Sequence, residues 1–148
     1  MHWSWQRFDG LGVHALYDIL ALRCRVFILE QGAFQDPDGA DLQAWHLQGR
    51  DEAGVLQAYL RVADPGIKYA EPSIGRVISS PELRRSGLGR ALMREGLQRC
   101  AAQWPGQGVR ISAQARLNDF YAGFGFVADG DDYLEDGIPH RQMLWSPT

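Results

Sequence analysis

The chain has 148 residues, with 18 acidic against 15 basic side chains and a formal charge of −3, which suits one domain around a single core and leaves no basic excess for binding a nucleic-acid backbone. Hydrophobic residues make up 45% and charged residues 22%, an ordinary globular balance, and no apolar run approaches the roughly 20 residues of a membrane span. The opening Met1-His2-Trp3-Ser4-Trp5-Gln6-Arg7 lacks the apolar core of a signal peptide, so a cytoplasmic protein is expected, a monomer or homodimer engaging neither nucleic acid nor membrane.

Trp3, Trp5 and Phe8 alternate with polar residues, predicting a half-buried strand over 2–8 that Asp9-Gly10 closes. Between 12 and 30, Val13, Leu16, Tyr17, Leu20, Cys24 and Phe27 recur at helical spacing, with Arg23 and Arg25 between them. This predicts a helix that lays that stripe on the core. His14 beside it is read as a polar edge residue. Cys24 and Cys100 both fall at apolar helical positions with no CxxC partner, so two buried thiols and no metal site are expected.

The loop at 31–43 carries Asp36, Asp38, Gly39 and Asp41. It is no calcium loop, because counting from Asp36 puts Asp41 at the sixth position, which needs glycine, and Leu47 at the twelfth, which needs glutamate. An acidic turn remains, or a lure for a cationic substrate. Residues 44–50 and 55–63 read as a hairpin around Asp51-Glu52-Ala53-Gly54. His46 in its first arm is either a satisfied strand histidine or a proton shuttle. A loop over 64–73 leads to a short apolar strand, 74–79.

That strand delivers the chain to Arg84-Arg85-Ser86-Gly87-Leu88-Gly89-Arg90, a basic, glycine-punctuated turn opening an amphipathic helix. Glycines let the backbone approach a ligand, and the helix start adds partial positive charge, so the turn reads as a phosphate cradle. It is not a P-loop, since Arg90 and Ala91 follow Gly89 in place of the lysine and magnesium-binding hydroxyl. Nor is it the dinucleotide fingerprint, because Leu92 occupies the third glycine position. The helix runs to Pro105-Gly106, with Arg90 and Arg94 on one face. A strand at Val109, Ile111 and Ala113 follows, then a short helix over 117–122. The segment 130–139 reads as a connection to a closing strand over 142–145.

Arg84-x-x-Gly87-x-Gly89 after a strand ending in Ser79-Ser80-Pro81 resembles the pyrophosphate loop of the GNAT superfamily of N-acetyltransferases. Asn118-Asp119-Phe120-Tyr121-Ala122-Gly123-Phe124-Gly125-Phe126 is similar to a second motif of that superfamily, at the expected distance. Leu22 to Gln31, the loop aspartates with His46, Arg76-Val77 and Glu135-Asp136-Gly137-Ile138-Pro139-His140 extend the resemblance to its ElaA-like branch and over nearly the whole chain. Departures are Ser79 for an apolar residue, Arg85-Ser86 for a common Gly-Lys or Gly-Gln pair, and Gln114 for asparagine.

The resemblance implies an α/β fold, with a mixed, mostly antiparallel sheet splayed open at the coenzyme site and flanked by helices, over residues 1–148 as one domain. It also implies acetyl transfer from acetyl-CoA to an amine without a metal. Backbone N–H groups of Arg85, Ser86, Gly87, Leu88, Gly89 and Arg90 would hold the pyrophosphate, with the Arg84, Arg90 and Arg94 side chains nearby. Val77, Ile78 and Ser79 would pair with the pantetheine arm, Gln114 and Tyr121 would complete the coenzyme site, and the Ile78 N–H would polarise the thioester carbonyl. Tyr121 would protonate the leaving thiolate, as a phenol of pKa near 10 can. A base is required because an alkyl ammonium of pKa about 10.4 cannot attack. Glu30, His46, Glu135 and His140 are its candidates, with His140 the first to test. Asp129, Asp131, Asp132, Glu135 and Asp136 form an acidic rim, either solvated or steering a cationic acceptor. A non-catalytic acyl-CoA-binding module is the main rival, and a nucleotide-dependent kinase the second.

Overall fold

The computed structural model describes residues 1–28 and 36–147. Among these residues eight strands form one sheet in the order β1-β2-β3-β4-β5-β8-β6, with β7 also paired to β8. They are β1 (His2–Arg7), β2 (Trp45–Arg50), β3 (Leu56–Ala63), β4 (Ser73–Ser79), β5 (Val109–Gln114), β6 (Val127–Ala128), β7 (Tyr133–Glu135) and β8 (Ile138–Trp145). Helices α1 (Gly12–Arg23), α2 (Leu88–Gln103) and α3 (Asn118–Ala122) complete the fold. All neighbouring strands are antiparallel except β4 and β5. This is the mixed, mostly antiparallel sheet that the resemblance implies.

Alternation along the strands divides apolar side chains between two layers. Leu47, Leu60, Val62, Ile74, Val109 and Ile111 meet Leu92, Met93 and Leu97 of α2 in the larger core. At roughly 1.5–3 kcal/mol for each large apolar side chain removed from water, this layer dominates the stability. Helix α2 lies close on the sheet because residue 96 is glycine: a Cβ there would come within 2.8 Å of Leu60 Cδ2. The opposite layer joins Ile19, Leu22 and Val26 to Leu56, Tyr59 and Ile78.

Helix α1 corrects the expected stripe. Val13 and Tyr17 are 78% and 76% exposed, and the buried positions are Ile19, Leu22 and Arg23, joined by Val26 on the turn that follows. Apolar residues nearly encircle this helix, so periodicity could not select its inner face. Beyond Arg23 it widens into a π turn, Cys24–Ile28. Cys24 on that turn is exposed while Cys100 is buried, so one of the two expected buried thiols lies at the surface. Burial pushes the Cys100 thiol up to about 12.

The expected connection over 130–139 contains a hairpin instead, with β7 paired to β8 around Asp136-Gly137. Both residues have positive φ, 53° and 75°, which is the demand of a type I′ turn and the reason for an Asp-Gly pair. That dipeptide was the available signal.

Candidate active site

Strands β4 and β5 part almost at once. Ser73 and Arg110 form a register pair and the Arg110 N–H donates to Pro72 O at 3.0 Å. Among the described residues no further pair joins the two strands, and the opening between them is the cleft. On its far side β4 remains laced to β3, but with an irregularity. Tyr59 faces Ile78 and Arg61 faces Gly75, so Arg76 and Val77 together oppose Leu60 as a β-bulge. Arg76 has φ 51°, a left-handed conformation that costs an L-residue about 1–2 kcal/mol.

The bulge region decides which backbone groups face the opening. The Ser80 N–H donates to Gln57 O at 2.8 Å, and antiparallel ladders alternate, so Ile78 two residues back is turned toward Tyr59. Val77 and Ser79 are thereby directed into the cleft. The oxyanion contact expected of Ile78 is corrected on this point, because its N–H belongs to the ladder with β3. Its side chain packs beneath α1.

At the mouth, Arg85 and Gly87 both adopt left-handed φ, 66° and 87°, which turns successive N–H groups to one side of the loop as in an anion-binding nest. Gly87 is followed directly by the first turn of α2. Ser86 stabilises this turn from within: its hydroxyl donates to Leu83 O and accepts from the Leu88 N–H at 3.4 Å. The Leu88 side chain enters the core.

A cavity of about 570 Å³ lies against this turn, walled by Val77, Ile78, Ser79, Arg84, Arg85, Gly87, Gly89, Arg90, Phe120 and Tyr121. A second, more polar lobe of about 620 Å³ shares Val77, Ile78, Ser79, Arg84, Leu117 and Tyr121 with it and continues to Gln114, Arg116, Glu135 and His140. The fold therefore brings the predicted positions together except for the side chains of Ser86 and Leu88, which serve the loop and the core. Arg94 is exposed on α2 and is not among the residues walling either lobe.

Tyr121 stands where the lobes join, its ring edge-on to Phe120 and Phe126 at centroid distances of 5.2 and 5.9 Å. Burial raises its phenol to about 12, opposed weakly by Arg116. The phenol therefore keeps its proton at neutral pH.

In the polar lobe the His140 Nδ1–H donates to Ile138 O at 2.7 Å, and Nε2 lies 3.3 Å from Glu135 Oε2. Glu135 Oε1 also accepts from the Ser112 hydroxyl at 3.3 Å. Ser112 in turn contacts the Tyr133 hydroxyl. The rim is less acidic than its sequence suggests, since Asp129 pairs with Arg110 and Asp132 with Arg141.

The loop aspartates are likewise neutralised. Asp36 lies between Arg23 and Arg76, Asp38 between Arg76 and Arg61, and Asp41 between Arg61 and Arg23. Arg23, only 1% exposed, was not singled out in the sequence, since its partners are remote in the chain. Burial opposes its charge, but Asp41 and Asp36 hold it more strongly and its pKa rises. Burial likewise works against the Asp38 and Asp41 carboxylates, yet hydrogen bonds and charge from Arg61, and for Asp41 chiefly from Arg23, hold both below the usual range. These carboxylates are spoken for, which removes the loop as a lure for cations. Glu30 lies outside the described residues.

A sheet that splits between two parallel strands, with a glycine-punctuated turn and a helix start at the split, defines a GNAT acyltransferase domain. The chain belongs to the GNAT acetyltransferase family: residues 47–147 match its acetyltransferase (GNAT) domain model. Within it the chain is an ElaA homologue, 41% identical over 148 residues to Protein ElaA of Escherichia coli, covering 97% of this chain and 95% of that one. The ElaA crystal structure superposes with a TM-score of 0.90 at 38% identity over 98% of this chain and 99% of that chain. An acyl-CoA N-acyltransferase from Pseudomonas aeruginosa gives 0.92 at 40% identity, with the same coverage. An aminoglycoside 6′-N-acetyltransferase crystallised with coenzyme A shares the fold at 11% identity, TM-score 0.72, over 97% and 96% of the two chains.

Proposed function

We propose that this protein moves the acetyl group of acetyl-CoA to a primary amine by direct attack in a ternary complex. The observation that carries the reading is Tyr121, a buried, protonated phenol at the junction of a basic, glycine-lined lobe and a polar lobe. The coenzyme's pyrophosphate is assigned to the turn over 84–90, where N–H groups, the start of α2 and the Arg90 side chain supply positive potential. Its pantetheine arm is assigned to the cleft-facing backbone of Val77 and Ser79, with Gln114 deeper in the opening. The coenzyme complex of the distant aminoglycoside acetyltransferase agrees with this use of the fold.

In the polar lobe the acceptor ammonium loses a proton to Nε2 of His140, whose imidazolium Glu135 then stabilises. The free amine nitrogen attacks the thioester carbonyl carbon, and the Val77 N–H stabilises the negative oxygen that develops. The C–N bond forms, the C–S bond breaks, and the departing thiolate takes the Tyr121 proton, while the surplus proton on the new amide nitrogen and the proton held by His140 pass to solvent. Tyr121 regains its proton from solvent after the products leave.

The test pairs calorimetric titration with acetyl-CoA and CoA with an assay of free thiol against a panel of primary amines. Saturable binding and amine-dependent thiol release are expected. Binding without release by any amine would identify an acyl-CoA-binding module, and no binding would remove the coenzyme assignment.

A further inference from the structure

Six charged side chains alternate around a closed ring beside the cleft. Arg23 Nε meets Asp36 Oδ2 at 2.8 Å, and Arg76 Nε meets the other oxygen of the same carboxylate at 2.9 Å. Arg76 Nη2 reaches Asp38 at 3.4 Å, Arg61 Nη2 meets Asp38 at 2.7 Å, and Arg61 Nη1 meets Asp41 at 2.9 Å. Arg23 Nη1 closes the circuit on Asp41 at 2.7 Å. Both Arg23 and Arg76 also donate to the Asp36 carbonyl, at 3.2 and 3.0 Å. The ring thus ties together α1, the segment over 36–41, β3 and β4.

Its member on β4 is the residue that forms the bulge. Arg76 holds φ 51°, immediately before Val77, and past Ser73 the β5 side of β4 has no ladder among the described residues to hold it. A fork of N–H groups on a carboxylate and a carbonyl fixes direction as well as distance. An apolar cluster would stabilise the fold as well or better, but it would not fix that direction.

We propose that Arg76 is a positioning residue: the ion-pair ring clamps the β4 bulge and so aims the Val77 N–H at the thioester carbonyl. The inference rests on the acetyl-transfer reading above. The ring acts through the backbone, and none of its members is required to touch the coenzyme.

The test reads the carbonyl directly. Infrared difference spectra of acetyl-CoA labelled with ¹³C at the thioester carbonyl are compared free and bound to the full chain. In the parent protein, binding is expected to lower the stretching frequency. Arg76→Asn and Arg76→Gly both tolerate left-handed backbone, so a conformation set by the backbone alone would survive in them. They are expected to lose most of the frequency shift and about tenfold in kcat, with acetyl-CoA affinity within about twofold of the parent. Arg76→Lys keeps a cation beside Asp36 without the fork, protects the fold, and is expected to lose part of the shift. The full parental shift in these variants overturns the positioning role and leaves acetyl transfer standing. A bound parent without any shift overturns the positioning role as well, while failure of the parent to bind acetyl-CoA removes both readings.

Discussion

The Tyr59 hydroxyl donates to Nδ1 of His46 at 2.6 Å, directly behind the lip of the cleft, where Tyr59 is the register partner of Ile78. The other imidazole nitrogen, Nε2–H, donates to the Asp41 carbonyl at 2.9 Å. His46 is therefore a neutral strand histidine with both nitrogens engaged. It is withdrawn from the candidate bases, and what it does instead is hold Asp41 of the ion-pair ring.

Acid should lower the stability of the protein over two separate pH ranges. Burial depresses the His46 pKa below its ordinary 6.5, despite an opposing contribution from Asp41. The stability it contributes is complete above that unfolded value and is lost as pH falls through the lower folded one. Asp38 and Asp41 are also depressed, so their contribution is complete above about 4 and drains away below it. Urea midpoints should fall between about pH 8 and pH 5.5 and fall further near pH 3.5. Equal midpoints at the two higher values would contradict a buried neutral His46.

Replacing Tyr121 by Phe removes the proton donor and keeps the aromatic packing with Phe120 and Phe126. Turnover should drop on the order of 10²-fold with CoA affinity nearly intact. Single-turnover thiol release together with calorimetry checks both halves, and unchanged turnover would take Tyr121 out of the mechanism.

His140→Gln keeps a hydrogen-bonding group near Glu135 but cannot take up a proton. The expected result is about a 10²-fold loss of kcat/KM near neutral pH and a pH–rate profile of changed shape, with activity recovering as pH approaches the roughly 10.4 of the free amine. A profile of unchanged shape would pass the role of base to another group, Glu135 being the adjacent candidate.

Gly89 offers the sharpest test of the phosphate cradle. Among the described residues a Cβ at this position would meet only Phe120 Cζ, at an ordinary 3.8 Å, so Gly89→Val should fold as well as the parent while its branches fill the cavity wall. The dissociation constant for CoA should rise by more than about tenfold. Parental affinity measured by calorimetry, with cooperative thermal unfolding, would show that the coenzyme does not approach this turn.

The strands were legible because alternation is a local signal: β1, β2, β3, β4 and β5 lie within a residue or two of their expected bounds. The inner face of α1 was not, because Leu16, Ile19, Leu20 and Leu22 offer apolar groups on several sides of the helix. The face that packs is chosen by Leu56, Tyr59 and Ile78 across the layer. Arg23 was passed over for the same reason, since its counter-ions lie 13 and 18 residues along the chain.

The glycine spacing over 84–90, the tyrosine that follows it and the strand leading into it are written in neighbouring residues, and local backbone preference is enough to make them readable. The direction of the Val77 and Ile78 N–H groups is not written there. It depends on the register of β4 against β3, and in a strand a shift of a single residue reverses every backbone group and side chain. Closure of the ring from Arg23 to Arg76, and with it the neutralisation of a loop that looks acidic, depends likewise on four separate segments meeting at hydrogen-bonding distance, an arrangement that exists once the chain has packed.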